Sequence, residues 1–398
     1  MFWEKEGKLI YSYDGETVCI EAWGKDALRV RATKNRSFTG RDWALEAKDA
    51  HAGEVEIFED PSAKGGAFAN MYEGTDTSYG KITNGKLHAV IDSGSVITFY
   101  HEDGRVLLKE HFRRLRDEES MPLNIMGREY SNGVGDNFRI VTRFVARKGE
   151  KIFGMGQYQQ HELDLKGCML ELAQRNSQVS VPFYLSSIGY GFLWNNPGVG
   201  QVMFANNGTE WVTESGKEID YLVIAGDTPA EIEENYMTLT GKPPMMPEYG
   251  MGFWQCKLRY WNQEQLLSVA RKYKELGIPL DVIIVDFFHW TKQGEFKFDP
   301  KYWPDVPGMC RELKEMGIQV VVSVWPTVDI YSENFEEMKE KGYLVRTEHG
   351  VPLTMLCGGN EVFFDATNPD ARTYVWEKIK KNYYDQGAKL FWLDVAEP

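Results

Sequence analysis

Two aspartates stand where an apolar run stops. Asp286 closes Leu280-Asp-Val-Ile-Ile-Val, and Asp394 closes Lys389-Leu-Phe-Trp-Leu. Short apolar runs of this kind read as strands buried on both faces, as in a parallel sheet. In parallel α/β folds the working side chains gather at the carboxyl ends of the strands. A carboxylate placed there can bind hydroxyls, exchange a proton or attack an electrophilic carbon. Aromatic residues accompany each candidate strand end: Asp286-Phe287-Phe-His-Trp, Trp325-Pro with Asp329 nearby, Trp392-Leu-Asp394, and Trp254-Gln-Cys. The apolar face of a sugar ring stacks on such rings, so carboxylates beside aromatics at one rim describe a sugar site. A phosphate site would call for a glycine-rich loop or a lysine at a helix start, and the sequence has neither. Plainer readings stand beside these. An aspartate after a strand can simply cap the next helix, Trp325 and Trp392 can be packing, and His289 can be a satisfied polar residue. Asp394 and Glu397 have no His or Cys partner at ligand spacing, so no metal and no cofactor are expected.

The elements that would position these residues fall into two regions. Residues 1–240 read as short strands separated by turns at Asp14-Gly15, Asn84-Gly85, Asp103-Gly104 and Asn207-Gly208, the rhythm of a large antiparallel β-sandwich. Val179 to Trp194 reads as two strands around a turn at Ile188-Gly189, and Asp49 to Tyr79 as a long loop. Thr228-Pro-Ala-Glu is a helix start. Gly241-Lys-Pro-Pro-Met-Met-Pro then resists both helix and central strand and marks a linker.

From residue 241 to 398 strands and helices alternate. Strands are expected over Met251–Cys256, Leu280–Asp286, Ile318–Trp325 and Lys389–Asp394. Helices are expected over Asn262–Leu276, Val306–Met316, Glu333–Lys341 and Asn368–Gln386. Four such cycles suit either an open doubly wound sheet or a (β/α)8 barrel. The second region is expected to be the first half of a barrel, cut after its fourth strand.

Several segments then resemble one family, glycoside hydrolase family 31. Phe391-Trp-Leu-Asp-Val-Ala-Glu-Pro398 is similar to its nucleophile segment. Asp286-Phe-Phe-His-Trp, Phe296-Lys-Phe-Asp-Pro and Trp303-Pro-Asp-Val-Pro-Gly-Met look like its second barrel strand and the loop that follows. Phe153-Gly-Met-Gly-Gln and Val181-Pro-Phe-Tyr-Leu-Ser-Ser resemble its sandwich signatures. The resemblance covers most of the chain from about residue 150 onward. It implies a galactose-mutarotase-like sandwich followed by a catalytic barrel, with retention of anomeric configuration and no metal. It implies that Asp394 is the nucleophile, that Asp286 binds sugar hydroxyls, and that Phe287, Trp325, Trp392 and Trp254 line the sugar pocket. The loop Gln157 to Lys166 would lean over the barrel mouth. Gly156-Gln-Tyr-Gln-Gln and Glu171-Leu-Ala-Gln-Arg-Asn-Ser-Gln resemble members of the α-xylosidase type. The general acid/base would lie beyond Pro398, so this stretch alone is expected to be inactive as a hydrolase and prone to aggregate through open strand edges. The rivals are an α-glucosidase, α-transglucosylase or α-glucan lyase of the same family, and a non-catalytic carbohydrate-binding protein.

The bulk composition narrows the partners. The 398 residues carry a formal net charge of −14, which repels phosphate backbones and anionic membranes. No apolar stretch is long enough to span a bilayer. The five cysteines lack any CxxC pair and read as reduced thiols, so a cytoplasmic location is expected. The expected partner is an oligosaccharide or α-glycoside substrate, with a homo-oligomer possible and no nucleic acid or membrane.

Overall fold

Alternating apolar residues in strands such as Leu87–Ile91 and Ile219–Ala225 demand a partner face on which to bury them. The computed structural model supplies it. The structure describes the chain except for residues 60–77, 93, 112, 116–122, 348–349, 355–359 and 397–398. It divides into two compact units, Met1–Pro243 and Pro244–Pro398. No helix among the described residues is long and apolar enough to cross a membrane.

In the first unit every strand pairing is antiparallel. A large sheet runs in the order Phe2–Lys5, Lys8–Tyr13, Glu16–Trp23, Ala27–Thr33, Ile219–Ala225, Tyr190–Trp194, Val179–Ser186, Ile152–Gln157. Two five-stranded sheets accompany it, one from Glu54–Glu59 through Val106–Lys109 and one from Arg128–Asn132 to Met169–Leu172. A single core joins all three, with Tyr184, Phe192 and Tyr221 meeting Ile82 and Phe99 from one small sheet and Phe144, Phe204 and Trp211 from the other. Ile219–Ala225 and Tyr190–Trp194 are buried along their whole length because the large sheet is covered on both faces. The second cover is the helix Pro229–Thr240, whose Ile232 and Leu239 pack on Leu193, Leu222 and Ile224. Thr228 caps that helix by accepting a hydrogen bond from Glu231 N at 3.2 Å.

One sequence expectation fails here. Asp49–Tyr79 is not all loop: Ala50–His51 and Glu54–Glu59 are strands, and Glu54–Glu59 pairs with Ser78–Asn84. Glu-Val-Glu-Ile-Phe-Glu carries the period of two, but its charge disguises it. The rest of that expected loop, residues 60–77, lies outside the described residues.

The second unit is built on four parallel strands in sequential order: Trp254–Gln255, Val282–Val285, Gln319–Val324 and Leu390–Leu393. Helices return the chain between them. Asn262, Asp305 and Asn368 cap the helices Gln263–Glu275, Val306–Glu315 and Pro369–Ile379, each accepting from a backbone N–H of the first turn. The last of these continues as a π turn over Lys380–Tyr384. The strands present two faces. On one, Ile283, Val285, Val320, Val322 and Val324 pack against Leu266, Met309, Leu313 and Val375 of the helices. On the other, Val282, Ile284 and Val321 cluster with Tyr249 and Leu390, away from the helices. Two expectations need trimming. The first strand is only two residues long, and a small hairpin of Thr327–Asp329 with Glu361–Phe363 is inserted after the third strand.

Candidate active site

Register decides which side chains share the helix-free face. Ile284 is level with Val321, and Val321 with Leu390; one pleat on, Ser323 is level with Trp392. In a parallel sheet level residues point to the same side, and the side repeats every second residue. Asp286 follows Ile284 by two, Trp325 follows Ser323 by two and Asp394 follows Trp392 by two. All five of Asp286, Ser323, Trp325, Trp392 and Asp394 therefore continue the helix-free face at its carboxyl edge. The floor of this face is apolar and its rim is polar and aromatic.

Both aspartates sit one residue past the end of a strand, and each accepts the N–H of the next residue. Phe287 N donates to Asp286 Oδ1 at 2.8 Å, and Val395 N donates to Asp394 Oδ1 at 2.9 Å. The second oxygen of Asp394 accepts from Trp325 Nε1 at 3.0 Å. Asp286 is only 6% exposed. Burial pushes its pKa above the ordinary carboxylate value against the pull of Phe287 N–H and Cys256, and the charge of Asp394 adds to the rise. Those two carboxylates thus feel each other electrostatically.

The aromatic wall is continuous. Phe287 stacks on Trp325 with centroids 5.4 Å apart, and Trp290 meets the same ring edge-on at 5.8 Å. Trp392 is 41% exposed, beside Asp394 in sequence and on the same face. Trp254 is not brought into this group. It is level with Val282, four residues short of Asp286, and its indole donates to Gly250 O at 3.2 Å. Because the first strand is so short, its rim position belongs to Cys256 instead. The Cys256 thiol donates to Asp286 Oδ2 at 3.4 Å, and desolvation followed by the charge of Asp286 pushes its pKa up to about 11, so it stays protonated.

Sequence reasoning put Cys256 at the end of the first strand without giving it a role, and it missed Ser323. Ser323 is fully buried, and its hydroxyl has no hydrogen-bond partner among the described residues. His289 is structural. Its Nδ1–H donates to Asp286 O at 3.0 Å, which leaves Nε2 to accept from Tyr383 Oη at 2.9 Å. Burial drives its pKa down to about 4. Asp329 lies on the inserted hairpin, where Oδ1 accepts from Tyr331 N. Glu397 is outside the described residues. Among the described residues no cluster of three or more His, Cys, Asp or Glu is placed to hold a metal ion.

An antiparallel sandwich, and a parallel βα unit with two aspartates in an aromatic rim, define a protein of two units, the second of the α/β class. Comparison with known proteins narrows the class. The family model of the glycosyl hydrolase family 31 TIM-barrel domain matches residues 243–398, and that of the family 31 N-terminal galactose mutarotase-like domain matches residues 17–202. An uncharacterized family 31 glucosidase from Pseudescherichia vulneris is 44% identical over 99% of this chain and 73% of its own length. Alpha-xylosidase A of Aspergillus niger is 31% identical over 96% of this chain and 52% of its own. The crystal structure of a family 31 alpha-xylosidase from a soil metagenome, complexed with xylose, superposes with a TM-score of 0.89 at 48% identity, over all of this chain and 58% of that one. The chain belongs to glycoside hydrolase family 31. It carries the sheet-rich amino-terminal domain and part of the TIM-barrel domain, and it spans about half to three quarters of the length of these relatives.

Proposed function

We propose that this chain carries the nucleophile half of a retaining α-glycosidase that releases terminal α-linked xylose. The observation that carries the reading is Asp394: a strand-end carboxylate held between Val395 N–H and Trp325 Nε1, in the aromatic wall of the helix-free face. Its oxygen attacks the anomeric carbon and forms a covalent sugar ester, which water then cleaves. Asp286, fixed by Phe287 N–H and the Cys256 thiol, accepts hydrogen bonds from sugar hydroxyls. Phe287, Trp325 and Trp392 exclude water and strengthen the attraction between the carboxylate and the oxocarbenium-like transition state. A retaining mechanism needs a second carboxyl group about 5–5.5 Å from the first. We assign it to the part of the relatives' length that this chain does not span.

Xylose is favoured by two relatives, the Aspergillus niger alpha-xylosidase and the metagenome alpha-xylosidase complexed with xylose. The 44% identical relative is named a glucosidase, so α-glucoside cleavage is the second reading. The test is a panel of aryl α-glycosides on the complete gene product, with the anomer of the first-released sugar followed by NMR. The reading expects the α-xyloside to give the higher kcat/KM, α-xylose to appear first, and Asp394→Asn to abolish turnover. Release of the β anomer, or an active Asp394→Asn variant, overturns it.

A further inference from the structure

An asparagine followed by glycine can react with its own backbone. The glycine nitrogen can reach the side-chain amide, because no Cβ obstructs the approach. The chain holds this pair at Asn84-Gly85, Asn132-Gly133 and Asn207-Gly208. All lie in the sandwich unit, Met1–Pro243, and all sit at a hairpin turn.

The sandwich restrains the three pairs differently. The Asn84 amide is tied at both ends. Its Nδ2 donates to Gly24 O and to Ala27 O, each at 2.8 Å, and its Oδ1 lies 3.2 Å from His51 Nε2. At Asn132 the attacking nitrogen is occupied. Gly133 N donates to Asn137 O at 2.9 Å, and Asn132 itself pairs with Phe138 at the end of its strand. Asn207 is exposed in the turn of residues 205–208, between the paired residues Phe204 and Thr209. Among the described residues neither its amide nor Gly208 N has a hydrogen-bond partner.

We propose that Asn207 is a site of spontaneous modification, converted by water to aspartate and isoaspartate ahead of Asn84 and Asn132. Gly208 N bonds to Asn207 Cγ and gives up its proton while the Cγ–Nδ2 bond breaks. That proton leaves with the amide nitrogen as ammonia, and a cyclic imide remains. Water then adds to either imide carbonyl, and its proton returns to the glycine nitrogen. Opening at Cγ gives aspartate. Opening at the backbone carbonyl gives isoaspartate, in which the chain runs through the former side chain. Nothing is oxidised or reduced. Either product adds a negative charge to the turn. Isoaspartate also adds a methylene to the backbone joining two strands whose Phe204 and Trp211 lie in the sandwich core.

The test keeps the complete gene product warm at mildly alkaline pH, then digests it and maps the peptides by mass spectrometry. Isoaspartyl methyltransferase labels the isoaspartate. Conversion at Asn207 is expected to run about 10-fold or more ahead of Asn84 and Asn132, whose hydrogen bonds must break first. Unfolding in urea should bring the three rates together. Gly208→Ala should slow the reaction sharply with an unchanged circular dichroism spectrum, since a Cβ there meets only Phe144 O at 3.6 Å, an ordinary contact. An unaltered Asn207, equal conversion of the three pairs in the folded protein, a preference that survives urea, or full conversion in Gly208→Ala overturns the proposal.

Discussion

Trp325 reaches Asp394 through one N–H, so its ring and its hydrogen bond can be separated. Trp325→Phe keeps an aromatic surface and removes the donor to a charged oxygen, an interaction worth about 1.5–3 kcal/mol. Steady-state kinetics are expected to show kcat/KM falling about 10- to 100-fold, with an unchanged circular dichroism spectrum; full activity would detach the indole from Asp394. His289 predicts a pH effect on stability. Its folded pKa of about 4 lies below the ordinary 6.5, so between those values the unfolded chain binds the proton and the folded chain does not. Stability is therefore whole above pH 6.5 and drains away as pH falls toward 4, by on the order of 3 kcal/mol. Urea unfolding at pH 6.5 and 4.5 checks this, and His289→Gln should flatten the difference. An equally steep loss in the variant would assign the acid sensitivity to other groups. Asp286, Trp325, Trp392 and Asp394 were legible because each lies at or near the end of an apolar run. Ser323 was not, since it looks like ordinary strand filler; Cys256 was read at its strand end, but nothing in the sequence says that its thiol meets Asp286.

At the scale of the element, the strand-to-loop turns carry the strain. Val395 has φ +54°, a conformation that β-branched residues avoid, immediately after Asp394. Val395→Gly relieves it and is expected to raise stability by about 1 kcal/mol, read as a higher melting temperature. A lower one would mean that the valine side chain contributes more than its backbone costs. The helix Pro229–Thr240 depends on its cap, so Thr228→Ala should cost about 1 kcal/mol in chemical denaturation. No change would show that water replaces the hydroxyl. Helix positions were readable from caps such as Asn262 and Asn368 and from the apolar spacing of Leu266 and Ala270. The hairpin Thr327–Asp329 with Glu361–Phe363 was not, since strands of three residues carry no measurable alternation. Trp254 misled for a related reason: without the register, nothing in the sequence says that its strand ends at Gln255.

At the scale of the whole molecule, the chain shows an apolar region beside the fourth parallel strand. A cavity of about 760 Å3 lies among Val324, Phe363, Phe364, Val375, Ile379 and Leu393, and Leu393 itself is 71% exposed. Open strand edges and apolar patches of this kind promote association. This 398-residue chain is expected to self-associate as its concentration rises, and Leu393→Lys to reduce the effect in light scattering; unchanged masses would show that this patch is not the contact. The family model over residues 243–398 and the parallel order of the four strands put Asp394 directly after the fourth strand of a family 31 barrel domain. Its role as the attacking oxygen is the claim on which the functional reading turns. Covalent trapping tests that claim most directly. The complete gene product is treated with a fluorinated α-xylosyl fluoride that forms the sugar ester quickly and releases it slowly, then digested and mapped by mass spectrometry. The account predicts one added fluoroxylosyl group on the peptide that contains Asp394, lost in Asp394→Asn; a label on another carboxylate would contradict it.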